Sequence, residues 1–262
     1  MRVQMRIIDS HAHIFDIPSY IENLIKAMDE NNIQRACVSG LGKHFKCVDN
    51  MGIKNVFEEY PNRFIGAYYI RPGYSKVSEI QEAYSQGFKM VKITLPQKPY
   101  DDPSYFPLWE SAEELRMPIL FHTGVVTLIK PVENEYVSSW YMHPIRLEPI
   151  ANSFPRLYMI IAHLGVHWNE DAAELIRMKK NVYADLSGAP DGWRRRADMI
   201  GMDHYLWWKD AFKKIVFGTD VLYSQISQIL REDRERLDML NINEATQKLI
   251  FSGNILKMLG EK

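Results

Sequence analysis

The stretch Ile7-Ile8-Asp9-Ser10-His11-Ala12-His13 begins as an apolar run and ends with two histidines two positions apart. Because side chains alternate between the two faces of a β-strand, His11 and His13 point to the same side. Further apolar or β-branched runs recur at intervals of roughly 25 to 40 residues, the length of one βα unit. The predicted strands are Arg6–His11, Arg35–Ser39, Arg63–Ile70, Phe88–Leu95, Pro118–His122, Leu157–His163, Asn181–Leu186 and Lys214–Asp220.

Stretches with helical spacing separate these strands. The predicted helices are Ser19–Asn31, Ser75–Gln86, Phe106–Leu115, Pro144–Phe154, Glu170–Met178, Ile226–Met239 and Asn243–Leu259. We expect Ser19 to cap the first helix, and Asn243 and Gly260 to cap the two ends of the last. Strands that alternate with helices indicate a parallel sheet, either closed into a (β/α)8 TIM barrel or open and doubly wound. Eight units within 262 residues favour the barrel, as a single domain over residues 1–262.

The composition is that of an ordinary globular protein, with 46% apolar residues and a net charge of −1. This charge creates no field that would attract nucleic acid or an anionic membrane, and no run of 18 apolar residues is present to span one. Cys37 and Cys47 are too few for a disulfide scaffold and are expected to be buried, inert thiols. We therefore expect a cytoplasmic protein that acts on a small molecule, without nucleic-acid or membrane partners.

Four of the predicted strands end on residues that can bind a metal ion or carry a proton. His11 and His13 lie at the end of strand 1, His122 ends strand 5, His163 ends strand 6 and Asp220 ends strand 8. In a barrel these ends face one mouth, where the active sites of this fold lie. Imidazole nitrogens with one carboxylate suit Zn²⁺, and also Mn²⁺, Fe²⁺ or Co²⁺. Each feature alone is unspecific, but their shared placement favours a metal site made of His11, His13, His122 and Asp220.

An ordered series of short motifs runs through almost the whole chain. The motifs are Ile8-Asp-Ser-His-Ala-His13, Gly87-Phe-Lys-Met-Val-Lys-Ile93, Leu108-Trp-Glu-Ser-Ala-Glu-Glu-Leu115, Pro118-Ile-Leu-Phe-His-Thr-Gly124, Ala162-His-Leu-Gly165, Asn181-Val-Tyr-Ala-Asp-Leu-Ser-Gly188, Phe217-Gly-Thr-Asp220 and Gly253-Asn-Ile-Leu256. In this order they resemble the amidohydrolase superfamily, in particular the amidohydrolase-related branch that contains decarboxylases and lactonases.

The resemblance implies that the four ligands above bind the principal metal and that Asp220 accepts a proton from water as a general base. It also implies that His163 polarises or protonates the substrate in one-metal members and binds a second cation in two-metal members. One metal is favoured, because this branch resembles mononuclear enzymes. Members often carry a second Gly where Val166 stands and a Pro within the stretch 221–223, so the loops there are expected to differ.

Four residues are candidates for contact with the substrate. Lys92 lies near the mouth end of strand 4, where some superfamily members carry a carboxylated lysine; the alternative is a lysine paired with a carboxylate. Arg71 follows strand 3 and would suit a substrate carboxylate, or is a surface arginine. Trp140 and Tyr141 belong to the stretch Val125–Met142, which is long for a βα loop and is typical of a lid.

Residues outside this set have weaker assignments. Asp185 and Ser187 end strand 7 and are candidates to position a ligand or the substrate. An aromatic cluster, Trp193 with the stretch 205–208, either shares the lid function or forms a contact in a homo-oligomer. The remaining histidines are expected to face solvent: His44, His143, His167 and His204.

The sequence supports three alternative functions. The first is a metal-dependent hydrolase of an amide, lactone or ester-like bond, in which Asp220 takes the water proton and His163 stabilises the oxyanion. The second is a metal-dependent non-oxidative decarboxylase of an aromatic or unsaturated carboxylate. The third is a barrel that binds metal without catalysis. Serine-hydrolase, P-loop and dinucleotide-binding motifs are absent from the sequence.

Overall fold

Eight parallel strands form one sheet in which each strand pairs with the next along the chain. The computed structural model describes residues 5–126 and 136–262. The strands are β1 Ile7–His13, β2 Ile33–Ser39, β3 Phe64–Ile70, β4 Met90–Ile93, β5 Ile119–Phe121, β6 Met159–Ile161, β7 Val182–Asp185 and β8 Ile215–Val216. The sequential order confirms the predicted (β/α)8 barrel and excludes the doubly wound sheet, whose strand order reverses at a switch point.

Main-chain hydrogen bonds between the first and last strand regions close the barrel. The Ser10 N–H donates to the Phe217 carbonyl over 2.9 Å, and the Asp220 N–H donates to the His11 carbonyl over 2.7 Å. The second bond ties the backbone of one predicted metal ligand to that of another. Closure thereby fixes the distance between residues far apart in the sequence.

A register irregularity in β1 turns its histidines toward the mouth. Ile8 packs in the inner core of the barrel, and His11, three positions later, lines the cavity at the mouth. Strict alternation would place these two side chains on opposite faces. The pairing of β1 with β2 shifts between Asp9 and Ala12, and a shift of this kind changes the face on which later side chains appear.

The helices cover the outside of the barrel. They are α1 Tyr20–Glu30, α2 Asn50–Glu59, α3 Ser78–Ser85, α4 Phe106–Glu114, α5 Leu147–Ser153, α6 Asn169–Met178, α7 Arg195–Ile200, α8 Met202–Tyr205, α9 Ile226–Met239, α10 Glu244–Lys248 and α11 Asn254–Leu259. Within the described ranges, none of them combines the length and the apolar character that a bilayer-spanning helix needs.

Two helix predictions need correction, and the helices α2, α7 and α8 were not predicted. The expected cap Ser19 has φ 56° and makes no capping hydrogen bond, whereas Asn243 accepts from the Thr246 N–H as expected. The last predicted helix is interrupted by a π-helical turn, Leu249–Gly253. Helix α2 was not expected from the sequence, because few of its side chains are buried, although Asp49 caps it by accepting from the Gly52 N–H.

Candidate metal centre and mouth cavity

The structure brings three of the four predicted ligands together around one carboxylate. His13 Nε2 lies 3.1 Å from Asp220 Oδ1, and His11 Nε2 lies 3.8 Å from the same oxygen. The three residues form a group whose ligand atoms all lie within 4.8 Å of one another. The group is therefore compact enough to hold one cation.

Hydrogen bonds on the far side of each ring direct the two β1 imidazoles. His11 Nδ1 donates to Asp185 Oδ2 over 2.8 Å, and His13 Nδ1 donates to the Ser39 carbonyl over 3.2 Å. Both acceptors fix the ring proton on Nδ1 and leave the lone pair on Nε2, facing the cavity. Metal-binding histidines in proteins are held in the same way by carboxylates or carbonyls behind them.

His122 lies outside this group but lines the same cavity, with a buried ring nitrogen. Its Nε2 atom has no hydrogen-bond partner among the described residues, and its ring centroid is 5.2 Å from that of His163. Burial lowers the pKa of His122 well below its usual value, and neighbouring His163 and Lys92 lower it further. A neutral imidazole with an unpaired buried nitrogen fits the role of a fourth ligand, because a buried polar atom without a partner is costly.

His163 and Asp220 follow the ends of their strands instead of lying on them. His163 has φ 58° and Asp220 has φ 49°, both in the left-handed region that is uncommon for residues other than glycine. The His163 N–H donates to Asp185 Oδ1 over 2.7 Å, which stabilises one of these turns. The turns bring His163 Nε2 to 3.5 Å from Asp220 Oδ2.

The two carboxylates at the centre are ionised. Burial raises the pKa of Asp185, but the attraction and hydrogen bond of His11 outweigh it and hold the pKa well below its usual value. Burial also raises the pKa of Asp220, but the surrounding His11, His13 and His163 outweigh it and hold the pKa well below its usual range. Burial lowers the pKa of His11 to about 4, so the ring next to these carboxylates is neutral.

Lys92 occupies the floor of the cavity. Its ammonium donates to His11 Nε2 over 2.9 Å, and burial lowers its pKa to about 8. The side chain is almost completely buried, at 1% exposure. Lys92 thus points at the nitrogen that would bind a metal, and it must move aside or lose a proton for His11 to act as a ligand.

A second group of ligand-type atoms lies behind the first. His11, His163 and Asp185 also have ligand-type atoms that lie within 4.8 Å of one another. However, Ser187 Oγ already contacts His11 Nδ1 at 3.1 Å and His163 Nδ1 at 2.9 Å. Hydrogen bonds satisfy this group without an ion, so the group facing the cavity is the better candidate.

The cavity at the mouth has a volume of about 380 Å³. Polar side chains line its floor and apolar side chains line its walls: His11, His13, Lys92, Thr94, His122, Thr123, His163 and Asp220 below, with Phe15, Leu41, Phe45, Cys47, Val125, Val126, Val166, Ala189 and Trp193 around them. Burial raises the pKa of the Cys47 thiol to about 12, so it stays protonated. The walls suit a small and largely apolar substrate.

Three residues predicted to contact substrate do not line this cavity in the part of the chain that the structure describes. The Arg71 guanidinium lies 4.2 Å from the centroid of the Tyr74 ring. Trp140 is 54% exposed, and the Tyr141 carbonyl accepts from the Tyr100 N–H. Half of the predicted lid, residues 127–135, lies outside the described residues, and the roles of Arg71, Trp140 and Tyr141 stay predictions.

One histidine expected at the surface is buried instead. His143 is 5% exposed, and its ring packs 4.3 Å from that of Trp168 and 4.9 Å from that of Trp140. Its Nδ1 accepts from the Ile145 N–H and caps the following turn. Trp140, three positions away, was assigned to the predicted lid, and Trp168 is 25 positions away, so the sequence did not indicate that the two rings would bury His143.

The sequence comparison identifies the family. The amidohydrolase family model matches residues 50–260. The chain belongs to this family, and its barrel and clustered histidines agree with the resemblance noted from the motifs. No curated protein matches the chain by sequence.

Solved structures share the fold at low sequence identity. A probable 2-pyrone-4,6-dicarboxylic acid hydrolase from Acinetobacter baumannii, with citric acid bound, has a TM-score of 0.68 and 17% identity over 98% of this chain and 100% of that chain. A 5-carboxyvanillate decarboxylase from Sphingomonas paucimobilis has a TM-score of 0.69 and 16% identity over 99% and 100%. A 5-carboxyvanillate decarboxylase from Novosphingobium aromaticivorans, with bound manganese, has a TM-score of 0.66 and 15% identity over 98% and 97%.

Proposed function

We propose that this chain is a metal-dependent hydrolase of a small molecule with an amide, lactone or ester-like carbonyl. The observation that carries the proposal is the convergence of imidazole nitrogens and the Asp220 carboxylate on the floor of one apolar-walled cavity. Membership of the amidohydrolase family supports it. A probable 2-pyrone-4,6-dicarboxylic acid hydrolase among the structural neighbours also supports it.

His11, His13, His122 and Asp220 would hold one divalent cation, with Zn²⁺ as the first candidate and Mn²⁺ as the second. The donor set fits, because His11 and His13 present Nε2 lone pairs and His122 Nε2 has no partner among the described residues. When bound, such an ion polarises a carbonyl and lowers the pKa of water toward about 7.

The chain's own residues supply the proton transfers and the shape. Asp220 is ionised and 24% exposed toward the cavity, so its carboxylate can take a proton from an attacking water. His163 Nε2 lies within 3.5 Å of that carboxylate and can pass a proton to the leaving group. Phe15, Phe45 and Trp193 exclude bulk water from the reacting bond.

Decarboxylation of an unsaturated carboxylate is the second candidate, and one observation favours it. Lys92 is the one Lys or Arg side chain among the described residues that line the cavity, and the walls include the aromatic rings of Phe15, Phe45 and Trp193. A flat acid could stack on these rings with its carboxylate on the Lys92 ammonium. The Lys92 ammonium can pair with one substrate carboxylate, so a monocarboxylate suits this lining better than a dicarboxylate.

Isotope labelling separates the two reactions. Zn²⁺- or Mn²⁺-loaded protein would be given lactones, aryl amides, esters and aryl carboxylates in ¹⁸O-labelled water. Hydrolysis places the label in a product carboxylate, whereas decarboxylation releases CO₂ and leaves the organic product unlabelled. CO₂ release without any ¹⁸O-labelled organic product would overturn the hydrolase proposal.

A matched pair of variants tests the site itself. Asp220→Asn should lose turnover, because it removes the proton acceptor and a charged ligand. Asp210→Asn serves as its control, since Asp210 also has a left-handed backbone, with φ 66°, but is exposed and does not line the cavity in the described structure. Equal activity of the two variants would remove Asp220 from the mechanism.

A further inference from the structure

Ser187 lies behind the candidate metal centre and is fully buried. Its hydroxyl oxygen is 2.6 Å from Asp185 Oδ1, 2.9 Å from His163 Nδ1 and 3.1 Å from His11 Nδ1. One hydroxyl therefore joins a carboxylate to two imidazoles of the site. The sequence analysis named Ser187 as a candidate to position a ligand or the substrate, without indicating which groups it contacts.

The positions of the protons in this cluster follow from the nature of its acceptors. Asp185 Oδ1 already accepts from the main-chain N–H groups of His163 and Ser187, so at 2.6 Å the Ser187 hydroxyl donates its single proton to the same carboxylate oxygen. The Ser187 oxygen can then only accept from His163 Nδ1. The second neighbour of His163 Nδ1 is the Ser187 carbonyl at 3.3 Å, which is also an acceptor. Two acceptors around one ring nitrogen require that this nitrogen carries the proton.

We infer that Ser187, held by Asp185, is a positioning residue that fixes His163 in the Nδ1–H form and presents its Nε2 lone pair to the cavity. This inference rests on the proposed function and deepens it, because it sets the order of the proton transfers. A ring in this tautomer accepts a proton at Nε2 and cannot donate one there. His163 stabilises a developing oxyanion only after it has been protonated.

The resulting hydrolysis sequence balances in atoms and charge. The attacking water forms the new carbon–oxygen bond as the carbonyl π bond opens to an oxyanion, and gives one proton to Asp220 Oδ2; the π bond forms again when the leaving group departs. This proton passes to His163 Nε2, 3.5 Å away, and the charge of the imidazolium is balanced by Asp185 through Ser187. The imidazolium then donates the proton to the leaving amine or alcohol as the carbon–heteroatom bond breaks, which regenerates neutral His163.

Ser187 also connects this cluster to the cavity wall. The Trp193 indole N–H donates to the Ser187 carbonyl over 2.9 Å, and Trp193 lines the cavity. The Ser187 N–H donates to Asp185 Oδ1 over 3.0 Å, which fixes the main chain from the other side. Ser187 therefore contacts both Trp193, which lines the cavity, and the His163 ring.

Nitrogen NMR of ¹⁵N-histidine-labelled, Zn²⁺-loaded protein reads the tautomer directly, with His163 assigned by the signals that vanish in His163→Ala. We expect a proton on His163 Nδ1 and none on Nε2 in the unaltered protein. Ser187→Ala should give a mixture of the two forms, because the carbonyl acceptor at 3.3 Å remains. A proton on Nε2 in the unaltered protein would overturn the inference whether or not a substrate has been found.

Two controls separate positioning from general damage. Ser10→Ala also removes a buried hydroxyl next to the site, one that among the described residues donates to the Phe217 carbonyl, and should leave the His163 signals unchanged. Trp193→Phe should alter KM but not the tautomer. With a working substrate, Ser187→Ala should keep its metal, since His11 still bonds to Asp185, and lose about 10- to 100-fold in kcat. Tautomer and kcat equal to those of Ser10→Ala would contradict the proposed role.

Discussion

His13 Nε2 lies 3.1 Å from Asp220 Oδ1, although the two residues belong to the first and last strand regions of the barrel. The other nitrogen of the ring donates to the Ser39 carbonyl, so in this tautomer Nε2 turns a lone pair toward the carboxylate. Two electron-rich atoms at this distance repel each other unless a cation or a proton lies between them. The relationship between His13 and Asp220 is therefore the local reason to expect a metal ion.

Metal binding should stabilise the folded protein. Adding Zn²⁺ or Mn²⁺ to metal-stripped protein, at a free concentration about 100-fold above Kd, should contribute about 2.7 kcal/mol to the free energy of unfolding. For a chain of this length this corresponds to a rise in Tm of roughly 5 to 10 °C, measured by differential scanning calorimetry. His13→Ala should abolish the rise, and an undiminished rise in that variant would show that the ion binds elsewhere.

His122 has a buried ring nitrogen and His143 is buried as a whole, but the two should respond differently to substitution by alanine. His122→Ala should weaken metal binding about 10-fold or more, measured by competition with a chelator, because it removes a ligand nitrogen. His143→Ala should retain metal and lower Tm, because it removes a turn cap and a ring packed on Trp168. Metal affinity equal in the two variants would exclude His122 as a ligand.

A buried ionic cluster on the outside of the barrel should be a large contributor to stability. Arg194 is fully buried and donates to Asp233 Oδ1 over 2.8 Å, and Arg236 donates to the same carboxylate. Asp233→Asn should cost about 3 to 5 kcal/mol in urea unfolding, because it leaves buried guanidinium charge uncompensated. Glu235→Gln, in an exposed pair with Arg231, is the control and should cost less than about 0.5 kcal/mol. Similar costs would mean that the cluster is solvated in solution.

Lys214 should give the stability a specific pH dependence. Burial lowers its pKa to about 8, whereas the unfolded chain titrates near 10.4. Between these values the unfolded chain binds a proton that the folded chain has released, so the free energy of unfolding rises with pH. The slope contributed is at most about 1.4 kcal/mol per pH unit. Urea titrations from about pH 7 to pH 10 should show this rise relative to Lys214→Met; parallel profiles would place the Lys214 ammonium in solvent.

The barrel and the candidate metal ligands could be predicted from the sequence because both follow from patterns within short segments. Apolar runs spaced at one βα unit predicted the strands, and the two-residue spacing of His11 and His13 predicted their common direction. The helix α2 escaped prediction, since burial of Ile53 and Val56 gives only a weak periodic signal. Local pattern therefore specified the architecture but not every element.

The surroundings of the site depend on contacts between distant segments and could not be predicted in the same way. The carbonyl of Ser39 behind His13 and the hydroxyl of Ser187 behind His163 are brought into place by neighbouring strands. The burial of His143 depends on Trp140 and Trp168, which meet it only after folding. Sequence patterns indicate which residues bear the chemistry, and tertiary contacts decide which nitrogen of each ring faces the cavity.

The most direct test of the account is to locate the ion. Anomalous diffraction from crystals of the Zn²⁺-loaded protein should show a single peak bonded to His11 Nε2, His13 Nε2, His122 Nε2 and a carboxylate oxygen of Asp220, with the Lys92 ammonium displaced from His11. A peak bonded to other residues, or no peak at the mouth of the barrel in metal-replete protein, would contradict the proposed metal centre.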